Sequence, residues 1–167
     1  ASPTELVQRL KLVPNPPRLA ALEELRTTAP EPAPRRRLVS AGELPGLEAQ
    51  GMAIGNHTLS HPCLPCCSAE EIRRELAESH DILAAALGHP PRAFAYPNGD
   101  QDPRVVAAVA RTGYPAAFLF DHRLCRWPPR DPLRISRLRT NPAASPHRFR
   151  AILSGLHPFL HHAVGRD

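Results

Sequence analysis

Lysine is nearly missing from this chain. Lys11 is the only one among 21 basic residues, so the formal net charge of +5 is carried by arginine. Ala, Arg and Pro are abundant together, which reads as a bias of coding composition rather than as a binding surface. The arginines are scattered apart from Arg35, Arg36 and Arg37. No groove-reading motif accompanies them, so nucleic-acid binding is not expected. Long apolar runs are missing too. None approaches the roughly 18 residues of a membrane-spanning helix. The opening, ASPTELVQRLKLVPNPP, lacks a basic stretch followed by an apolar one, so it is not a signal peptide. It also does not begin with Met, which leaves room for upstream sequence. A disulfide framework is absent: of Cys63, Cys66, Cys67 and Cys125, three crowd into HPCLPCCS, and adjacent cysteines rarely pair. The C-x2-C spacing within that stretch does occur in zinc sites. No internal repeat is visible, and no aspartate precedes Asp81.

What is present suits one domain. The chain has 167 residues, 42% of them apolar, enough to bury a core. The first 39 residues are Pro- and Arg-rich. Within them, PPRLAALEELRTTA has a helical apolar pattern that PEPAPRRR interrupts. SAGELPGLEAQG reads as a helix with a capping box at Ser40 and Glu43, although Pro45 sits awkwardly within it. Met52 to Ile54 read as a short buried strand. SAEEIRRELAESHDILAAALG is the clearest helix: Ser68 and Glu71 form a second capping box, Ile72, Leu76, Leu83 and Leu87 share a face, and Gly88 closes it. RAFAY (92–96) reads as a strand. A helix from Pro103 to Gly113 follows Asp102 and buries Val105, Val106 and Val109. AAFLF (116–120) reads as a buried strand and PLRISRLR (132–139) as a half-buried one. SPHRFRAILSGLH (145–157) reads as the last helix, leaving 158–167 as a tail. Strands alternating with helices imply a parallel sheet or barrel with helices outside. In such folds ligands bind at the carboxyl ends of the strands.

GMAIGNHTLSHP (51–62) then carries the chemistry. His57 and His61 are four apart and directly follow a predicted strand. Both imidazoles can reach one side of a turn and share a metal. Spacing alone does not settle this, because His157 and His161 in HPFLH have the same separation. That second pair falls near the C-terminus and reads as a solvated end. Thr58 stands where a zincin motif has its glutamate, so any base comes from elsewhere. Asp121, His122 and Arg123 follow AAFLF and read more readily as a solvated loop than as a site. Arg92 precedes its strand and is expected at the opposite end of the sheet.

IGNHTLSHP, the helix SAEEIRRELAESHDIL, PRAFAYPNGD, DPRVVAAVARTGYPAAF and DPLRISRLR together resemble the polysaccharide deacetylases, the NodB-like carbohydrate esterases. The resemblance runs from about residue 40 to 157. It implies an α/β fold: a partial distorted (β/α) barrel lacking its first strands, with 1–39 as a separate segment. It implies a metal-dependent hydrolase that removes N-acetyl groups from a polysaccharide, with a divalent metal, most commonly zinc, on His57 and His61. Tyr96, Pro97 and Asn98 would line the groove, the backbone N–H of Asn98 would be an oxyanion donor, and Arg137 would touch substrate. His157 in GLHP, at a helix end, is read as structural. The family's first motif, a strand ending in an Asp pair, supplies a third ligand and a general base. It is absent here, so the expected partner is an N-terminal segment of the same domain, besides the N-acetylated glycan itself. The compartment is open, bacterial cytoplasm or cell envelope. Two other readings stand beside this one. One is a small zinc-binding interaction module using His57, His61 and Cys63, Cys66 or Cys67. The other is an inactive relative that only binds glycan.

Overall fold

A computed structural model describes residues 2–28 and 38–164. The Arg35 to Arg37 triplet and the end of the tail lie outside the described residues.

Four extended segments run parallel, in chain order, across a small sheet. Its two named strands are β1 (Ala93–Ala95) and β2 (Ala116–Phe118), paired in parallel with Ala93 opposite Ala116. Asn56 bridges to Phe94 on one side and Ile135 to Phe118 on the other, both parallel. Parallel neighbours require crossovers, and helices supply them. Helix α4 (Ala69–Leu87) connects the Asn56 segment to β1, and α5 (Pro103–Thr112) connects β1 to β2. The result is mixed α/β with a small parallel sheet.

Local sequence explains both crossover helices. Ser68 caps α4 with a complete capping box to Glu71, and Gly88 ends it in the left-handed conformation. The Asp102 side chain caps α5 by accepting from the Val105 N–H, and Gly113 ends it in the same way. Their apolar faces meet over the sheet. Ile72 and Leu76 of α4, Val105 and Val109 of α5, and Phe94, Tyr96, Tyr114 and Ala117 form one buried cluster.

The remaining helices are α1 (Pro3–Lys11), α2 (Asn15–Thr28), α3 (Leu44–Ala49), α6 (Pro146–Leu153) and α7 (Leu156–Ala163). The Ser40–Glu43 capping box is formed, and it opens a single 3-10 turn that leads into α3. Pro45 sits in the first turn of α3, where a missing N–H costs nothing.

Three expectations need correction. Met52 to Ile54 do not form a buried strand: Met52 is exposed, and pairing starts only at Asn56. Residues 132–139 are not a ladder strand, because only Ile135 bridges β2. Beyond it, Arg137 and Arg139 turn their guanidinium groups onto the Leu119 and Phe120 carbonyls. The helix from 145 does not run to 157. Gly155, at φ +82°, breaks it into α6 and α7, and the expected tail from 158 is helical to Ala163. Helix α1 had not been expected, although its Ser2–Glu5 capping box is legible in SPTE.

Candidate metal centre

The carboxyl ends of all four parallel segments converge on one cavity of about 390 Å³. His57 and His61 come from the first segment, Tyr96 and Asn98 from the end of β1, Phe120 from the end of β2, and Arg137 and Arg139 from the fourth. Lys11, the last residue of α1, completes the lining.

The loop carrying the histidines is held by side chains. Asn56 is buried. Its amide nitrogen donates to Ser79 Oγ (2.8 Å) and Tyr114 Oη (2.7 Å), and its Oδ1 accepts from the Thr58 N–H (2.8 Å). The backbone then turns through two left-handed positions, Thr58 at φ +69° and His61 at φ +54°. Each costs on the order of 1 kcal/mol or more in a side-chain-bearing residue, strain of a kind concentrated at functional sites.

The two imidazoles stand edge to face with centroids 4.8 Å apart. His57 Nδ1 lies 2.7 Å from the Ala95 carbonyl oxygen. A carbonyl only accepts, so Nδ1 carries the proton and Nε2 keeps its lone pair. That is the arrangement metal-ligating histidines use, with one ring nitrogen anchored and the other free to coordinate. Desolvation of the ring, with the neighbouring His61 and Arg137, lowers the His57 pKa, while the Ala95 carbonyl acts the other way. The net shift favours the neutral ring, the form that coordinates a metal. The residues present therefore fit two imidazole ligands of a divalent metal. Among the described residues, no group of three His, Cys, Asp or Glu side chains is placed to hold a metal ion.

The other sequence candidates are placed as follows. Tyr96 is buried beside the cavity, its hydroxyl donating to the Leu133 carbonyl (3.0 Å), and burial pushes its pKa up to about 12. It lines the groove as a neutral, fixed wall. Pro97 is fully buried. Asn98 adopts φ +57° in the tight turn that Gly99 continues. Arg137 lines the cavity and lies 5.7 Å from the Phe120 ring centroid, with Arg139 at 4.7 Å. Arg92 is exposed.

The cysteines lie together, Cys63 beside Cys66, but among the described residues they complete no group of three that could hold a metal. The Cys63 thiol faces Asp100 (3.4 Å), Cys66 the Lys11 carbonyl and Cys67 the Cys63 carbonyl. Burial, with Asp100 beside it, raises Cys63 to about 12, and burial raises Cys67 to about 11.

Sequence reasoning missed a second histidine group. His122 is not on a solvated loop; it is 3% exposed. Its Nδ1 accepts from the Arg139 N–H (2.9 Å), so its proton is on Nε2, which donates to His157 Nδ1 (2.9 Å). His161 packs edge to face on His122 at 5.3 Å, so the His157–His161 pair is not a solvated end. The available signal was a second i, i+4 pair on an apolar helix together with a histidine just past a strand. Burial, then His157, His161, Arg139 and His162, lower the His122 pKa. A histidine depressed below its unfolded value of 6.5 contributes stability that is complete above that pH and is lost as pH falls toward the folded pKa. Urea unfolding midpoints should fall between pH 7.5 and 5 in the wild type and fall less in His122→Phe. Parallel decline in the two proteins would contradict this.

The Polysaccharide deacetylase family matches residues 39–117. Chitin deacetylase 1 of Cryptococcus neoformans var. grubii is 41% identical over 63 residues, 38% of this chain and 13% of that protein. Chitin deacetylase 2 of Saccharomyces cerevisiae is 36% identical over 81 residues, 48% of this chain and 26% of that protein. Among solved structures, a Streptococcus pyogenes deacetylase in complex with acetate superposes with a TM-score of 0.63 at 23% identity, covering 81% of this chain and 54% of that one. A polysaccharide deacetylase from Bacillus cereus gives 0.58 at 21% identity, covering 81% and 47%. The matches thus span about a quarter or less of these curated relatives and about half of these solved chains.

Proposed function

Since this chain belongs to the polysaccharide deacetylase family, we propose that it carries the histidine side of a divalent-metal site that removes N-acetyl groups from a chitin-like polysaccharide. The carrying observation is the His57–His61 pair at the carboxyl ends of the sheet, with His57 anchored through Nδ1 to Ala95 and its Nε2 left free. A divalent metal there, zinc by its affinity for imidazole, supplies Lewis acidity toward the acetyl carbonyl.

The chain's own residues bind and orient. His57 and His61 hold the metal. Tyr96 and Asn98 wall the groove, and the Asn98 N–H offers a donor to the carbonyl oxygen as negative charge develops there. Arg137, partly desolvated, faces the same cavity and contacts the glycan. In the overall reaction water adds to the acetyl carbon, the C–N bond breaks, the nitrogen takes a proton, and acetate leaves a free amine.

Charge tells what else the reaction needs. The cavity is lined by Lys11, Arg137, Arg139 and two imidazoles, with no carboxylate among the lining residues. A divalent cation adds to that positive charge. A carboxylate pair from outside the described residues would offset it and provide a third ligand and a general base. The chain alone should therefore release little or no acetate from an acetylated chito-oligosaccharide. Joined to a segment carrying such an acid pair, it should release acetate in a His57-dependent manner. No release from the joined protein would sink the deacetylase reading and favour an inactive glycan binder. His57-dependent release by the chain alone would refute the need for an outside acid.

A further inference from the structure

Helix α4 carries a carboxylate on the wrong face for a solvated charge. Glu75 lies in the buried stripe with Ile72, Leu76 and Ser79, and is 1% exposed. Among the described residues it has no ion-pair partner. The hydrogen bonds of its carboxylate all go to the segment between the two motif histidines. Oε2 accepts from the Leu59 N–H and the Ser60 N–H, both at 2.9 Å, and Oε1 accepts from the Ser60 hydroxyl at 2.6 Å.

The loop depends on such bonds. From Thr58 to His61, four consecutive N–H groups donate to side chains: Asn56 Oδ1, Glu75 Oε2 twice, and Thr58 Oγ1. Left-handed turns at Thr58 and His61 flank the two amides that Glu75 holds. Without an acceptor there, those residues would relax toward ordinary backbone conformations, and His61 would move relative to His57, which Ala95 anchors separately.

We propose that Glu75 is a positioning residue that clamps the Leu59–Ser60 backbone and so sets the two imidazoles at metal-sharing distance, an assignment that rests on the metal reading of His57 and His61. A carboxylate suits the task because it only accepts, and its two oxygens can serve all three donors. Glutamine has nearly the same shape but places an NH2 group against one of those donors. Buried charge-assisted bonds of this kind hold geometry more tightly than neutral ones.

The test uses the full 167-residue chain and the variants E75Q and S60A. Two quantities are read: amide hydrogen exchange at Leu59 and Ser60 without metal, and zinc affinity by competition titration. Helix content is the control. In E75Q, exchange at Leu59 and Ser60 should quicken at least tenfold. Zinc affinity should fall about 10- to 100-fold, as for other residues that orient metal ligands, with helix content unchanged. S60A, which removes one of three bonds, should shift both quantities less, in the same direction. Wild-type exchange and affinity in E75Q would overturn the proposal. If wild type binds no zinc, the metal reading fails on its own, and faster exchange in E75Q still supports the clamp. If E75Q does not fold, S60A decides, and its indifference in both readouts overturns the clamp.

Discussion

His57→Ala is expected to remove zinc binding by this chain, and a triple Cys63→Ser, Cys66→Ser, Cys67→Ser variant is expected to keep it. The histidine effect follows from having two imidazoles and no third described ligand nearby, so one loss leaves nothing that chelates. The cysteine effect follows from the thiols' own partners, which are Asp100, one another and the Lys11 and Cys63 carbonyls rather than His57 or His61. Structural zinc sites contribute folding energy, because the unfolded chain has no preformed site. Here the groove rests on α4, α5 and the sheet, whose buried core cluster contains neither His57 nor His61. Circular dichroism during zinc titration separates the two cases. If the triple variant loses both zinc and helix signal, a zinc-dependent interaction module is the better description, and the deacetylase reading of HTLSHP fails.

Gly99→Ala should be among the most destabilising single substitutions in the chain. Gly99 sits at φ +83°, and a Cβ there would lie 2.6 Å from the Phe120 backbone nitrogen and 2.9 Å from its Cβ. Backbone cannot swing aside as a side chain can. The left-handed penalty of about 1–2 kcal/mol adds to an overpacking cost of about 1–3 kcal/mol. The sum of about 2–5 kcal/mol corresponds to a fall of roughly 4–20 °C in Tm for a chain of this size. Gly113→Ala is the matched control. It also has positive φ, +88°, but its Cβ would meet nothing within 4 Å, so only the same left-handed penalty of about 1–2 kcal/mol applies. Equal Tm shifts in the two variants would show that the close approach of β1's exit to Phe120 is not what Gly99 provides.

Features set by neighbours in the chain were legible in the sequence, and those set across the chain were less so. The Ser68–Glu71 and Ser40–Glu43 boxes, the Asp102 cap and the closing Gly88 and Gly113 depend on residues at most a few positions apart, and all formed. The sheet is another matter. Apolar Met52 to Ile54 looked like a strand, but pairing is decided by what lies opposite, and Phe94 meets Asn56 instead. The alternation in PLRISRLR marked real inward positions, yet the arginines after Ile135 bond carbonyls rather than a ladder. The placement of His57 and His61 at the cavity was legible because they follow closely on an extended segment. Glu75 was not, although a clue existed: it lies three residues after Ile72 and one before Leu76, on the stripe where a helix places its apolar residues. Its purpose appears only when the loop 15 residues upstream folds over it. His122 was hidden for the same reason, since its partner is 35 residues away.

The central claim is that His57 and His61 share one divalent metal, with His57 binding through Nε2 while Nδ1–H stays on Ala95. Nitrogen-15 NMR of the imidazoles during zinc titration tests it most directly. The account predicts that His57 Nε2 and a ring nitrogen of His61 shift together at one equivalent of zinc. The His57 Nδ1 resonance should remain protonated and hydrogen-bonded, and Cys63, Cys66 and Cys67 should stay unchanged. Zinc shifts at His122, His157 and His161, or at the cysteines, with His57 and His61 silent, would contradict it.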